Sequence, residues 1–165
     1  MKFIDLFYQN DEITIKGDLE DFLTANSTAQ LYVTANFGSY SNIYPLIECF
    51  SGANNSCLVI FSDARSLPRF KLKKNNILII SLDLIEGIDP RLAAKFFKIL
   101  PHRVLPSRRS CIWIDSNLSI THFPSYSELA GDCDVAVFSH DKRVNVLQEV
   151  EECKRHGKDT DANLL

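Results

Sequence analysis

The sequence predicts an α/β fold in which helices cover both faces of a parallel sheet. Short, nearly continuous apolar runs recur along the chain, and each run ends in a polar residue. Runs of this kind are typical of strands buried on both faces. Helical patterns lie between the runs, and strands that alternate with helices indicate a layered α/β architecture.

Five apolar runs are predicted to form strands: residues 31–34, 57–61, 77–82, 111–114 and 135–138. The polar residues that follow them are Asn36, Asp63, Asp83, Asp115 and His140. Ligands bind at the carboxyl ends of the strands in open α/β sheets, so these residues favour a polar pocket at one sheet edge. Each residue taken alone is more typical of a solvated turn or cap.

Three helices are predicted between and after the strands. Asp89 is expected to cap a helix that starts at Pro90 and runs to Leu100. A second helix is predicted over residues 143–156, and a third over 42–50 despite an internal proline.

The first thirty residues give only weak patterns. Residues 13–15 alternate slightly, and Asp18 is expected to cap a short helix that reaches Leu23. No linker divides the chain, so a single domain over residues 1–165 is predicted, with 1–30 as an N-terminal extension.

Composition excludes several classes of protein. The 165 residues carry 18 Lys and Arg against 21 Asp and Glu, which excludes the strongly basic footprint of a general nucleic-acid binder. No apolar run approaches the roughly 18–20 residues that a membrane span needs, and the N-terminus does not resemble a signal peptide. The 5 cysteines form no CxxC pair, so free thiols and a cytoplasmic location are expected.

Asp115 and Asn117 form the strongest single candidate site. On an extended backbone after a buried strand, residues two apart point to the same side. Their oxygens suit Mn²⁺ or Mg²⁺ that bridges two phosphates. The alternative, favoured by these residues alone, is an Asx-turn in which Asp115 bonds the backbone near Asn117.

A basic stripe is predicted on the helix after Asp89. Arg91, Lys95 and Lys98 share one helix face, and His102 extends the positive charge beyond the helix end. Such a stripe is usually only solvated, but next to Asp115 it would neutralise a diphosphate.

The start of the last helix offers a further candidate site. A helix N-terminus favours anions, and His140 and Arg143 can donate to phosphate or sugar hydroxyls. Glu149 is either solvated or faces the pocket as a hydroxyl-binding or catalytic carboxylate. The chain has no Walker loop, GxGxxG or GxSxG, which argues against P-loop, Rossmann and α/β-hydrolase proteins.

Several segments together resemble a glycosyltransferase-like family. Its members include plant proteins linked to mucilage and pectin synthesis and bacterial proteins from surface-polysaccharide loci. Residues 89–102, 105–106 and 110–117 are similar to its pattern D-P-R-x-x-A-R-x-Y-K-I-L-P-H, L-P and S-I-W-I-D-G-x. Residues 32–40 and 134–153 resemble its flanking segments, so the resemblance covers about residues 31–159.

The resemblance implies a GT-A-like fold that binds a nucleotide sugar. It implies that Asp115 is a metal ligand and that Asp63 lies close to the base or ribose. The residues that would border the nucleotide are Thr34, Phe37, Gly38 and Tyr40. Those that would line the diphosphate or contact the sugar are Arg91, Lys95, Lys98, His102, His140 and Arg143.

Two departures from the family pattern matter for activity. Ser116 and Asn117 stand where many GT-A enzymes continue an Asp-x-Asp motif. Family members also usually continue past the last helix, into a segment expected to supply acceptor contacts and the catalytic base.

The leading hypothesis is therefore transfer of a sugar from a UDP- or GDP-linked donor to a glycan acceptor. The alternatives are a catalytically incomplete nucleotide-sugar-binding remnant or interaction module, and a nucleotide or phosphosugar hydrolase. An exposed sheet edge would also favour a homo-oligomer.

Overall fold

The computed structural model describes residues 2, 5–66, 75–105, 110–137 and 146–157, with the main chain alone for 9–14, 146 and 149. The chain divides into two compact units, Met1–Leu129 and Ala130–Leu165, which are described separately. The expectation of a single domain over 1–165 stays a prediction.

The elements alternate between helix and strand along most of the described chain. In chain order they are α1 (Gln9–Ala25), β1 (Gln30–Asn36), α2 (Tyr44–Ser51), β2 (Ser56–Ser62), β3 (Ile77–Ser81), α3 (Pro90–Ile99), a 3-10 turn (Pro101–Arg103), β4 (Ile112–Trp113), α4 (Tyr126–Ala130) and α5 (Val146–Arg155).

The 4 strands form one sheet in the order β3-β2-β1-β4. Every pairing is parallel: Val33 lies opposite Val59 of β2 and Trp113 of β4, and Val59 lies opposite Leu78 of β3. The parallel sheet and four of the predicted strands are thereby confirmed. Every residue of β2 is buried, as expected for a central strand covered on both faces.

Separate hydrophobic clusters cover the two faces of the sheet. On one face α1 and α3 pack against the strands, and Phe97 of α3 stacks on Phe61 of β2 with ring centroids 4.0 Å apart. On the other face α2 buries Leu46 and Phe50 against Tyr32 and Leu58. The sheet is therefore the middle of three layers.

The predicted helices are confirmed where the structure describes them. Asp89 caps α3, and its side chain accepts a hydrogen bond from the Arg91 amide at 2.8 Å. Pro45 lies in the first turn of α2, where the missing N–H costs nothing. The last helix ends at Arg155, and Gly157 follows two residues later with a φ of 58°. Among the helices of the described residues, none has the length and apolar character to cross a bilayer.

The prediction for the N-terminal segment is wrong. Residues Gln9–Ala25 form one helix of 17 residues, and Asp18 lies exposed in its interior instead of capping it. Ile15, Leu19 and Leu23 recur every four residues and are all buried against the sheet. This buried stripe overrides the preference of Asp18 for a helix end.

The predicted strand at 135–138 is also wrong for the residues that the structure describes. Residues 135–137 have no regular structure, and Val135 and Val137 are 79% and 87% exposed. A strand needs a neighbour to pair its N–H and C=O groups, and the described residues of the second unit contain no strand that could pair with it. Phe138 lies outside the described residues.

Candidate functional site

The order of the strands defines a crevice beside β1. From β1 the chain proceeds through β2 to β3 on one side, and β4 then pairs on the other side of β1. The strand order thus reverses between β1 and β4. In open α/β sheets ligands bind in the crevice outside the carboxyl ends of the strands at such a switch point. Here it is bordered by residues 37–43 after β1 and 114–118 after β4.

Asp115 lies at this crevice in contact with a lysine and a tryptophan. Its Oδ1 accepts hydrogen bonds from Lys98 Nζ at 2.9 Å and from Trp113 Nε1 at 2.8 Å. Lys98 Nζ also lies 5.9 Å from the centroid of the Trp113 ring, within cation–π range. The side chains of Lys98 and Asp115 are 49% and 53% exposed, so a ligand can reach both.

The surroundings of Asp115 favour its charged form. Partial burial raises the pKa of this carboxyl, but the hydrogen bonds from Trp113 and Lys98 and the charge of Lys98 outweigh it. The pKa of Asp115 is therefore lower than its ordinary value. The crevice therefore holds the charged carboxylate of Asp115 next to the ammonium group of Lys98, which can move away from it.

The local backbone fits neither geometry predicted for Asp115 and Asn117. Ser116 and Asn117 lie in a turn, so the expected extended backbone is wrong. The expected Asx-turn is wrong as well, because among the described residues the Asp115 carboxylate accepts hydrogen bonds from the side chains of Lys98 and Trp113 and from no main-chain amide. The turn is closed by the Leu118 amide, which donates to the main-chain carbonyl of Asp115 at 3.0 Å. The carboxylate is left for Lys98 and Trp113.

The loop after β1 is fastened to the loop after β2. The buried carboxylate of Asp63 accepts a hydrogen bond from the Gly38 amide at 2.9 Å through Oδ2 and from the Ser66 amide at 2.8 Å through Oδ1. The Ser39 amide donates to Ser66 Oγ at 2.6 Å. Both carboxylate oxygens of Asp63 are engaged, so this residue positions the loop.

A tight turn presents Tyr40 at the rim of the crevice. Gly38 and Ser39 have φ values of 67° and 57°, a left-handed conformation that costs little only for glycine. A Cβ at Gly38 would lie 2.7 Å from Pro90 Cγ, so the turn packs directly on the start of α3. Tyr40 follows with 75% of its surface exposed.

A buried polar network joins the two loops across the crevice. The Asn36 side chain donates to the Ser41 carbonyl at 3.0 Å, and the hydroxyls of Ser41 and Ser116 lie 2.5 Å apart. Ser62 Oγ donates to the carbonyl of Asn36 at 2.7 Å. These bonds connect the ends of β1 and β2 with the loop after β4.

The predicted basic stripe reaches this edge of the sheet through Lys98. Arg91 pairs with Asp89 at 3.0 Å, and hydrogen bonds from Arg91 hold the pKa of Asp89 below its usual value. Lys95 is exposed, and it forms no ion pair within the described part of the chain. His102 is exposed in the 3-10 turn that follows α3.

Several predicted site residues are buried or lie outside the described residues. Thr34 and Phe37 are fully buried below the loop, so a ligand at the surface would not touch them. His140 and Arg143 lie outside the described residues, and only the main chain of Glu149 is described, within α5.

Neighbours of Glu149 on α5 form a local charge cluster. Glu152 pairs with Arg155 and with His156, and the Arg155 hydrogen bond contributes most to lowering the pKa of Glu152 to about 2. Glu152 is therefore engaged on its own helix.

The donors at the crevice fit a metal ion only together with substrate oxygens. The described residues contain no group of three or more His, Cys, Asp or Glu that could hold a metal. Mg²⁺ commonly binds one or two carboxylates plus substrate phosphates, and the side chains of Asp115 and Asn117 are both exposed to such a ligand. Lys98 occupies Oδ1, so a cation there would have to displace it.

Trp113 lies in the segment that contains the strongest candidate site, but its contact with Asp115 was not predicted. It precedes Asp115 by two residues, and side chains two apart on a strand point to the same side. That spacing is a signal that could have paired the indole N–H with the carboxylate.

The fold and this crevice define a layered α/β protein with a charged site at the switch point of its parallel sheet. Residues 18–164 match the TOD1/MUCI70 glycosyltransferase-like domain family, and because the match covers most of the chain, the chain belongs to this family. The resemblance seen in the sequence and a GT-A-like layered fold are thereby confirmed. Neither the curated proteins nor the solved structures contain a match to the chain.

Proposed function

We propose that the protein binds a nucleotide sugar in the crevice between β1 and β4 and transfers the sugar to a glycan acceptor. The observation that carries the proposal is the meeting of Asp115 and Lys98 at the switch point, in a chain of a glycosyltransferase-like family. UDP- and GDP-linked sugars are the proposed donors.

The cations of α3 are the proposed diphosphate contacts. Lys98 would exchange its bond to Asp115 for a bond to phosphate, while Lys95 and His102 are exposed along the same approach. Positive groups fixed near a departing diphosphate stabilise the negative charge that develops there.

A divalent cation, Mn²⁺ or Mg²⁺, is proposed to bind Asp115 and Asn117 together with the donor diphosphate. When bound, it would offset charge on the leaving group. Lys98 contacts the same carboxylate that the metal ion would bind, so we expect the two cations to compete for Asp115.

The loop after β1 is the proposed contact for the nucleoside. The exposed ring of Tyr40 can stack on a base, and the amides near Gly38 are held in place by Asp63. His140 and Arg143 as donor-sugar contacts, and Glu149 as a catalytic carboxylate, follow from the family resemblance. The cytoplasmic location and a homo-oligomer also stay predictions.

Calorimetry with UDP and GDP, in the presence and absence of Mn²⁺, tests the site. Asp115→Ala should abolish the metal-dependent part of binding, because it removes the only carboxylate that the proposal gives the metal. Asp83→Ala is the matched control, since Asp83 also follows a parallel strand and is exposed. If Asp115→Ala binds as tightly as the parent, the metal role is wrong.

Incubation with a panel of nucleotide sugars and glycan acceptors tests turnover. Sugar transfer supports the proposal. Binding without transfer would favour a non-enzymatic binding module, and phosphate release without an acceptor would favour a hydrolase.

A further inference from the structure

A wide groove lies at the edge of the sheet opposite the crevice. It has a volume of about 1130 Å³ and opens at the amino ends of β1 and β2, where Gln30 and Ser56 begin these strands. Ligand pockets commonly measure about 300–1,000 Å³, so this groove has room for a ligand larger than one small molecule. The site residues discussed above do not line it.

Hydroxyl and amide side chains from separate loops converge on the groove. Ser27 and Thr28 precede β1, and Asn54, Asn55 and Ser56 lead into β2. Within the described part of the chain, none of these five side chains forms a hydrogen bond. Ser56, at the start of β2, also lines the groove and is 7% exposed. Hydroxyl and amide groups that are free of protein partners can exchange hydrogen bonds to water for hydrogen bonds to ligand hydroxyls.

The far wall of the groove is held rigidly against β1. Gln30 Oε1 accepts a hydrogen bond from the Tyr126 amide at 2.8 Å, and the Tyr32 hydroxyl donates to the Pro124 carbonyl at 2.9 Å. Phe123 packs edge-on against Phe50, with centroids 4.9 Å apart.

The same wall is capped at the start of α4. The Ser125 amide donates to Glu128 Oε2 at 2.6 Å, and the Glu128 amide donates to Ser125 Oγ at 3.2 Å, which forms a capping box. A wall fixed before binding lowers the entropic cost of holding a ligand.

The charge of the groove selects against anions. Its lining includes the carboxylates of Glu20 and Glu128, and no lysine or arginine occurs among the described residues that line it. This is the opposite of the crevice, where Lys95 and Lys98 lie exposed. Unpartnered hydroxyls and amides, two aromatic residues and no cation suit a neutral ligand with many hydroxyl groups.

We propose that this groove binds a neutral oligosaccharide. The 7 residues of β1 separate the two edges by about 20 Å at roughly 3.3 Å per residue. The groove is therefore a docking site for a glycan chain, distant from the crevice, and it does not depend on the nucleotide-sugar proposal.

Titration with neutral gluco-, manno-, galacto- and xylo-oligosaccharides, followed by amide chemical shifts, tests the proposal. We expect shifts at residues 27–28 and 54–56 and a dissociation constant in the millimolar range or below. The double variant Asn54→Ala/Asn55→Ala removes two exposed amides that form no side-chain hydrogen bond in the described chain, and it should weaken binding at least tenfold. Asp83→Ala, at an exposed residue of the other edge, is the control and should bind sugar like the parent.

The outcomes separate this groove from the crevice. UDP binding measured on the same double variant should be unchanged, so a failure of one proposal does not imply failure of the other. The groove proposal is overturned if no oligosaccharide of the panel binds at a concentration of about 10 mM. It is equally overturned if the double variant binds as tightly as the parent, or if the groove binds only cationic peptides.

Discussion

Replacing Gly38 with alanine tests how the loop after β1 is held at the crevice. Gly38 has a φ of 67°, and a Cβ there would lie 2.7 Å from Pro90 Cγ and 2.9 Å from Pro90 Cβ. Favourable contacts between carbon atoms lie at about 3.5–4.0 Å. The ring of Pro90 is rigid and begins α3, so it cannot turn aside as a flexible side chain would.

The expected loss of stability has two parts. A left-handed backbone costs a residue with a Cβ about 1–2 kcal/mol. Forcing an extra carbon into a packed contact costs typically about 1–3 kcal/mol. Gly38→Ala should therefore lower the free energy of unfolding by about 2–5 kcal/mol, a large share of the roughly 5–15 kcal/mol of a typical domain.

Alanine substitutions at two other glycines distinguish the backbone contribution from the packing contribution. Gly87 has a φ of 85° with nothing within 4 Å of its Cβ position, so Gly87→Ala should cost only the conformational part, about 1–2 kcal/mol. Gly52 has a φ of −107° and open space, so Gly52→Ala should change stability little.

Urea unfolding followed by the fluorescence of Trp113 measures all three variants. With a slope of about 2 kcal/mol per molar urea, Gly38→Ala should lower the midpoint by about 1–2.5 M and Gly87→Ala by about 0.5–1 M. Equal losses for Gly38→Ala and Gly87→Ala would refute the contact between this turn and Pro90.

Two further predictions concern the carboxylates at the same edge. Asp63→Asn should destabilise the protein by about 1–3 kcal/mol, because the amide nitrogen that replaces one carboxylate oxygen cannot accept a hydrogen bond, and either the Gly38 amide or the Ser66 amide loses its partner. Asp83→Asn should have little effect in the same urea titration. Folding lowers the pKa of the Asp115 carboxyl. The charged carboxylate therefore stabilises the protein at pH values above the pKa of the unfolded state, about 3.9, and this stabilisation is lost as the pH falls through the pKa of the folded state. Because Lys98 and Asp115 are half exposed, Asp115→Asn should lower the free energy of unfolding by at most about 1 kcal/mol at pH 7 and by progressively less below pH 4. A loss of stability that stays constant down to pH 2 would contradict the contact with Lys98.

Elements defined by their own local sequence could be predicted. The runs at 57–61 and 77–82 are apolar enough to identify buried strands, and Asp89 with Pro90 marks the start of α3. The segment 9–25 was missed because its burial depends on packing against the sheet, which residues such as Asp18 do not indicate.

The sequence identifies the residues of the crevice site but does not predict the contacts between them. Asp115 and Lys98 were both identified, but their 2.9 Å contact depends on how α3 lies beside the end of β4. The contact of Gly38 with Pro90 depends on the same packing. The groove of the opposite edge has no motif, because its hydroxyl and amide groups come from loops distant in sequence.

The pairing of β1 with β4 joins segments distant in sequence, so we expect the crevice to form late in folding. It joins Tyr32 to Ile112 and Val33 to Trp113, whereas β2 begins only a short loop and one helix after β1. Closing a long loop costs more entropy, and contacts distant in sequence slow folding. Since only two residue pairs secure this edge, the inner sheet can form while Asp115 is still unplaced. A ligand that spans the crevice would thus bind only chains that have completed this last pairing, and its binding would report complete folding of the sheet.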